Sequence, residues 1–112
     1  MNETDTSAPH VETVIHELES WPEVTSGPHQ FGGHGFWREG EELGHVHRDR
    51  QTADIPFPRA VRDELIASGQ AAEHRARPDS GWVTHTLRTD EDATEVVNLF
   101  RRKLASLSGE RA

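Results

Sequence analysis

From Val11 onward the apolar residues Val11, Val14, Ile15 and Leu18 fall at the three- and four-residue spacing of one helix face, with polar residues between them. Ser7 supplies a cap and Pro9 a first-turn proline, so the pattern predicts an amphipathic helix. Trp21-Pro22 must end it, because the residue before a proline is driven out of helical geometry. The rhythm then changes. Short alternating runs are broken at Ser26-Gly27-Pro28, at Gly32-Gly33 and at Gly40, which is how a meander of short strands is punctuated, and strands are predicted near residues 29–37 and 42–48. Asp54 to Pro58 combines a cap with two prolines suited to a first helical turn. Val61 and Leu65 follow on one face, Ser68 continues it, and Gly69 closes the helix. Ala71 to Gly81 and Trp82 to Thr89 read as two more strands around a turn at Pro78-Asp79-Ser80-Gly81. Trp82, Thr84 and Thr86 share one face of the second, and Val83, His85 and Leu87 the other. Thr89-Asp90-Glu91-Asp92 resembles a capping box, and Ala93, Val96, Val97, Phe100, Leu104 and Leu107 make a long apolar stripe behind it.

These elements predict an α+β fold in the order α-β-β-(β)-α-β-β-α. Strands joined by short turns pair antiparallel, and a sheet with one apolar face needs helices laid across it, which gives a two-layer sandwich of a small antiparallel sheet and about three helices. Residues 1–112 are expected to form a single domain, with residues 1–8 a flexible acidic tail. Hydrophobic residues are only 32% of the chain, so the core is small and depends for bulk on three tryptophans and four phenylalanines, leaving little room for a deep pocket.

Composition removes several function classes. The chain has no cysteine, which excludes disulfides, thiolate metal ligands and a cysteine nucleophile. No segment approaches the run of about 20 apolar residues that spans a membrane, and the polar, acidic start lacks the pattern of a secretion signal, so a cytoplasmic location is expected, with no membrane partner. The net charge of −8 opposes binding to nucleic acid. That charge is uneven. Residues 1–42 hold nine acids against Arg38 alone, whereas residues 43–88 hold seven arginines against six acids, enough for a local cationic patch.

Candidate chemistry centres on His45 and His47 in the run "LGHVHRDR". Two positions apart on a strand, they point to one face with Cα atoms about 6.5–7 Å apart, a usable spacing for two ligands of a divalent metal. A third ligand could come from Asp49, Asp54, His34, His74 or His85. Imidazoles facing solvent or bonded across strands explain the same pattern. Arg48, Arg50, Arg59 and Arg62 could present a guanidinium to a carboxylate or phosphate, or pair with Asp49, Asp63 and Glu64. Asp79 and Ser80 are explained as turn formers, and the alternative of a nucleophile beside His45 or His47 has no supporting motif. The glycine-rich "FGGHGFW" lacks the lysine of a phosphate loop and reads as a bend or bulge where backbones approach closely.

From about Trp21 to Leu104 the chain resembles the prokaryotic luciferase domain family. The resemblance is carried by Gly27-Pro28-His29, Phe31-Gly32-Gly33, Gly44-His45 with His47, Asp54-Ile55-Pro56-Phe57-Pro58, and Pro78-Asp79-Ser80-Gly81-Trp82. The element order is more distantly similar to the MmcQ/YjbR-like double-wing proteins. The resemblance implies no particular activity for a small stand-alone domain, and the chain has no flavin signature. Three readings follow. The first is a binding or interaction domain that takes a small anionic ligand or a protein partner on a face formed by His45, His47, Asp54 and Trp82, with Arg48 and Arg50 beside it. It expects no cofactor. The second is a metal-assisted or acid–base enzyme in which His45 and His47 hold a divalent ion or shuttle protons. Luciferase-like oxidative chemistry ranks third, because a bulky substrate needs a sizeable pocket.

Overall fold

The computed structural model of the chain describes residues 8–78 and 80–109. Helix α1 (Pro9–Glu19) begins with proline at its first position and buries Val11, Val14, Ile15 and Leu18 on one face. Ala8, placed by sequence in a loose tail, is instead buried against the core, while residues 1–7, with the Ser7 cap, lie outside the described part. Six strands follow: β1 (Thr25–Pro28), β2 (His34–Arg38), β3 (Glu41–His47), β4 (Thr52–Pro56), β5 (Ala72–Glu73) and β6 (Trp82–Thr86). They form one antiparallel sheet in the order β1-β2-β3-β4-β6-β5. Helix α2 (Arg59–Ala67) lies between β4 and β5, and α3 (Asp90–Gly109) follows β6. The architecture is α+β, as the sequence pattern requires.

Strand alternation sorts the sheet into two faces. Phe36, Leu43, Val46, Ala53, Ile55 and Val83 turn toward α1 and α3 and are essentially inaccessible to solvent. Phe100 on α3 meets Phe36 edge-on at 5.3 Å. Thr89 accepts the Asp92 amide at 2.9 Å, and the Asp92 carboxylate accepts the Arg88 amide at 2.9 Å, so the cap of α3 is reciprocal but displaced by one residue from the usual box. Arg101 stacks over the Trp21 ring at 4.5 Å and ties the end of α1 to α3. No helix among the described residues is long and apolar enough to cross a membrane.

Three predicted elements differ. The segment around Asp54 is a strand, not the start of a helix: Ala53 and Ile55 alternate with Asp54, and α2 begins only at Arg59. Pro56 is tolerated because it ends β4, past the last residue that pairs with β3. The strand predicted over residues 29–37 is interrupted by a single 3₁₀ turn at Gln30–Gly32, which separates β1 from β2. Of the strand predicted from Ala71 only Ala72–Glu73 pairs with β6, and the chain then runs as a loop that carries His74.

Candidate active-site cleft

The sheet face opposite the helices is uncovered, and a cleft of about 430 Å³ opens on it. The small core was expected to leave no room for a sizeable pocket. The fold makes the space by leaving one face of the sheet free rather than by hollowing the interior.

His45 and His47 project into this cleft from β3, as their spacing predicts. Asp54, which the sequence offered both as a helix cap and as a face residue or third ligand, sits opposite His45 on β4. Its side chain is only 6% exposed, and Oδ2 lies 3.3 Å from His45 Nε2, 3.3 Å from His47 Nε2 and 3.6 Å from His74 Nε2. The other carboxylate oxygen, Oδ1, accepts a hydrogen bond from Thr84 Oγ1 at 2.7 Å. Thr84 faces Asp54 across the β4–β6 register.

Glu42 completes the inner cluster, and the sequence pattern concealed it. Three residues before His45, it should point to the opposite face of a regular strand. Instead the β2–β3 register slips between Phe36 and Trp37, so that Leu43 and Gly44 together oppose what one residue would. Both turn toward the helices. Gly44 has φ of +150°, and a Cβ there would lie 2.7 Å from the Asp54 carbonyl oxygen and 2.8 Å from the Phe100 ring, so only glycine fits. The bulge brings Glu42 onto the cleft side, where Oε2 is 2.8 Å from His45 Nδ1 and 3.0 Å from His29 Nε2. His29 in turn stacks on His45 with ring centroids 4.1 Å apart. Gly35 makes this possible: a Cβ there would meet the Trp37 and His29 rings at 2.6 and 2.9 Å. Trp82 closes the far wall, 5.3 Å from the His45 ring.

The other candidates separate cleanly. Arg50 and Arg77 line the cleft. Arg48 does not: β3 ends at His47, and Arg48 turns to α1, where it is paired with Glu12. That hydrogen bond holds the Glu12 carboxyl below its usual range. Asp49 lies in the turn and accepts the Arg50 amide. His34 and His85 face the helix side, near Glu19 and Glu95. Arg62 pairs with Asp63, and Arg102 rather than an early arginine reaches Glu64. Ser80 donates to the Arg77 carbonyl and accepts the Trp82 amide, so it closes the turn; Asp79 lies outside the described residues.

The two strand histidines have opposite electrostatics. Burial alone would lower His45, but its hydrogen bonds to Asp54 and Glu42 outweigh burial and raise it above the ordinary imidazole value. Burial lowers His47, and the nearby Asp54 does not compensate for it. Burial would raise Asp54, yet the hydrogen bonds from His45 and Thr84 and the neighbouring imidazoles hold it below the usual carboxylate range. Chemically, such a set can store and pass a proton along Glu42, His45 and Asp54, or can clasp a cation among its nitrogen and oxygen atoms.

The model of the luciferase domain family matches residues 40–103, more than half of the chain. The chain belongs to the luciferase domain family. The matched stretch runs from the β2–β3 turn into α3 and contains the cleft residues Glu42, His45, His47, Asp54, His74, Trp82 and Thr84, whereas His29 precedes it. No curated protein and no solved structure matches this luciferase domain.

Proposed function

We propose that this luciferase domain binds a small anionic molecule in the histidine cleft. The observation that carries the reading is the state of the cleft arginines. Among the described residues the guanidinium groups of Arg50 and Arg77 have no ion-pair or hydrogen-bond partner, and both line the cleft. Arg50 also borders a second depression lined by Arg75 and Arg88. Guanidinium groups at the rim of a cleft favour entry of an anion there. A volume of about 430 Å³ falls within the range of small-molecule sites, roughly 300–1,000 Å³. Trp82 and the stacked His29 and His45 give flat walls for a planar ligand, while a guanidinium fork matches a carboxylate or phosphate.

The test is a panel of small carboxylates and phosphates screened by thermal shift against chelator-treated full-length protein, followed by calorimetry on the best binder. Arg50→Gln and Arg77→Gln should each weaken that binder by about tenfold, the loss of one charge-assisted contact of about 1.5 kcal/mol. A binder whose affinity is unchanged in the double variant, or a panel without any binder, would refute the reading.

A further inference from the structure

In the cleft, His45 Nε2 and His47 Nε2 each lie from Asp54 Oδ2 at a separation that suits two ligands of one ion and is long for a charged hydrogen bond. A hydrogen bond between a charged nitrogen donor and a carboxylate closes to about 2.7–2.9 Å. His45 Nε2 and His47 Nε2 both stop at 3.3 Å from Asp54 Oδ2. Two ligand atoms each about 2.0–2.1 Å from a tetrahedral ion are about 3.3–3.4 Å apart, which is the separation seen here. One ligand atom from each of the three residues also lies within 4.8 Å of the other two.

The surroundings of the three atoms prepare them for this role. In the neutral ring, Glu42 Oε2, at 2.8 Å, accepts the proton of His45 Nδ1 and leaves Nε2 with its lone pair for an ion, the carboxylate–histidine arrangement that orients metal-bound imidazoles. Thr84 occupies Oδ1 of Asp54 and leaves Oδ2 to face the nitrogens. His74 is set apart by the same reasoning. Its Nδ1 accepts the Ala76 amide at 3.1 Å, so a neutral ring carries its proton on Nε2, which faces Asp54 Oδ2 at 3.6 Å. It borders the carboxylate without offering a lone pair.

We propose that His45, His47 and Asp54 form a binding site for a divalent transition metal of tetrahedral preference, with zinc the ion favoured by two imidazoles and a carboxylate at this spacing. The three protein ligands lie on one side, and the remaining coordination positions face the cleft. Glu42 is a positioning residue for His45, and His74 lies outside the ligand set. This goes beyond the anion-binding reading, and each is testable without the other.

The experiment uses the full chain without an affinity tag, stripped with chelator and titrated with zinc chloride alone and, separately, cobalt chloride. Calorimetry should show one zinc bound per chain. Cobalt should give the intense visible absorption of a four- or five-coordinate site, a readout that needs no variant. His45→Ala and His47→Gln should each weaken zinc at least 100-fold, Glu42→Gln about 10–100-fold, and His74→Ala less than tenfold. Circular dichroism verifies that each variant is folded, and the cobalt spectrum stands in for any that is not. Absence of stoichiometric zinc binding, a cobalt spectrum of a weakly absorbing octahedral ion, or a His74→Ala loss equal to that of His47→Gln would overturn the proposal.

Discussion

Replacing Gly44 with alanine tests whether the β3 bulge builds the site. The added methyl group would sit 2.7 Å from the Asp54 carbonyl oxygen and 2.8 Å from Phe100 Cε1. Neither neighbour can yield cheaply: the oxygen belongs to a central strand, and the Phe100 ring is fully buried against Phe36. Overpacking of this kind costs about 1–3 kcal/mol. The backbone at φ of +150° adds about 1–3 kcal/mol for any residue with a side chain. The sum, about 2–6 kcal/mol, is a large part of the 5–15 kcal/mol that holds a typical domain folded. With a urea dependence of about 2 kcal/mol per molar, the midpoint should fall by about 1–3 M. Gly40→Ala is the control. It also has positive φ, +84°, but nothing lies within 4 Å of its Cβ, so it isolates the backbone cost. If Gly44→Ala loses no more stability than Gly40→Ala, the close approach of α3 to the bulge is wrong. The shift of Glu42 onto the cleft face then loses its physical basis.

Thr84→Val removes the donor to Asp54 Oδ1 and should cost about 1.5–3 kcal/mol in urea unfolding, as for a hydrogen bond to a charged group; a loss below about 0.5 kcal/mol would contradict the assignment. Gly81→Ala should be at least as damaging, about 3 kcal/mol or more, because its Cβ would overlap the Phe57 carbonyl oxygen at 2.1 Å, and soluble protein with an unchanged melting temperature would refute it. In metal-free protein the two strand imidazoles should titrate on opposite sides of about pH 6.5, His45 above and His47 below, as followed by imidazole NMR. The signs differ accordingly. His45 stabilises the fold at low pH and loses that contribution as pH rises through its raised value. His47 weakens the fold as pH drops below about 6.5, because the unfolded ring takes a proton the folded ring resists. Titration of both rings on the same side would contradict the hydrogen bonds given to His45.

Much of the fold is legible in the sequence because its signals are local. The stripe from Ala93 to Leu107 and the proline at the head of α1 need no tertiary information, and strand parity alone places His45 with His47 and Val83 with Leu87. The site is less legible because it depends on departures from regularity. A one-residue bulge reverses the side of Glu42, and a two-residue strand hands His74 to a loop that only the folded chain aims at Asp54. Two prolines near Asp54 mimic a helix start, although Pro56 merely ends a strand whose last residues have no β3 partner. Arg48 and Arg50 look equivalent in the sequence, yet the turn after His47 sends the first to Glu12 and the second to the cleft.

The most direct test of how the cleft is built is nitrogen NMR of the histidine rings during zinc titration of the untagged, full-length protein. Coordination as proposed moves the Nε2 signals of His45 and His47 together, complete at one equivalent, while His74 keeps its proton on Nε2. Movement of His74 Nε2 in their place, or no change at either strand histidine, would contradict the convergence of His45, His47 and Asp54 on a single ion.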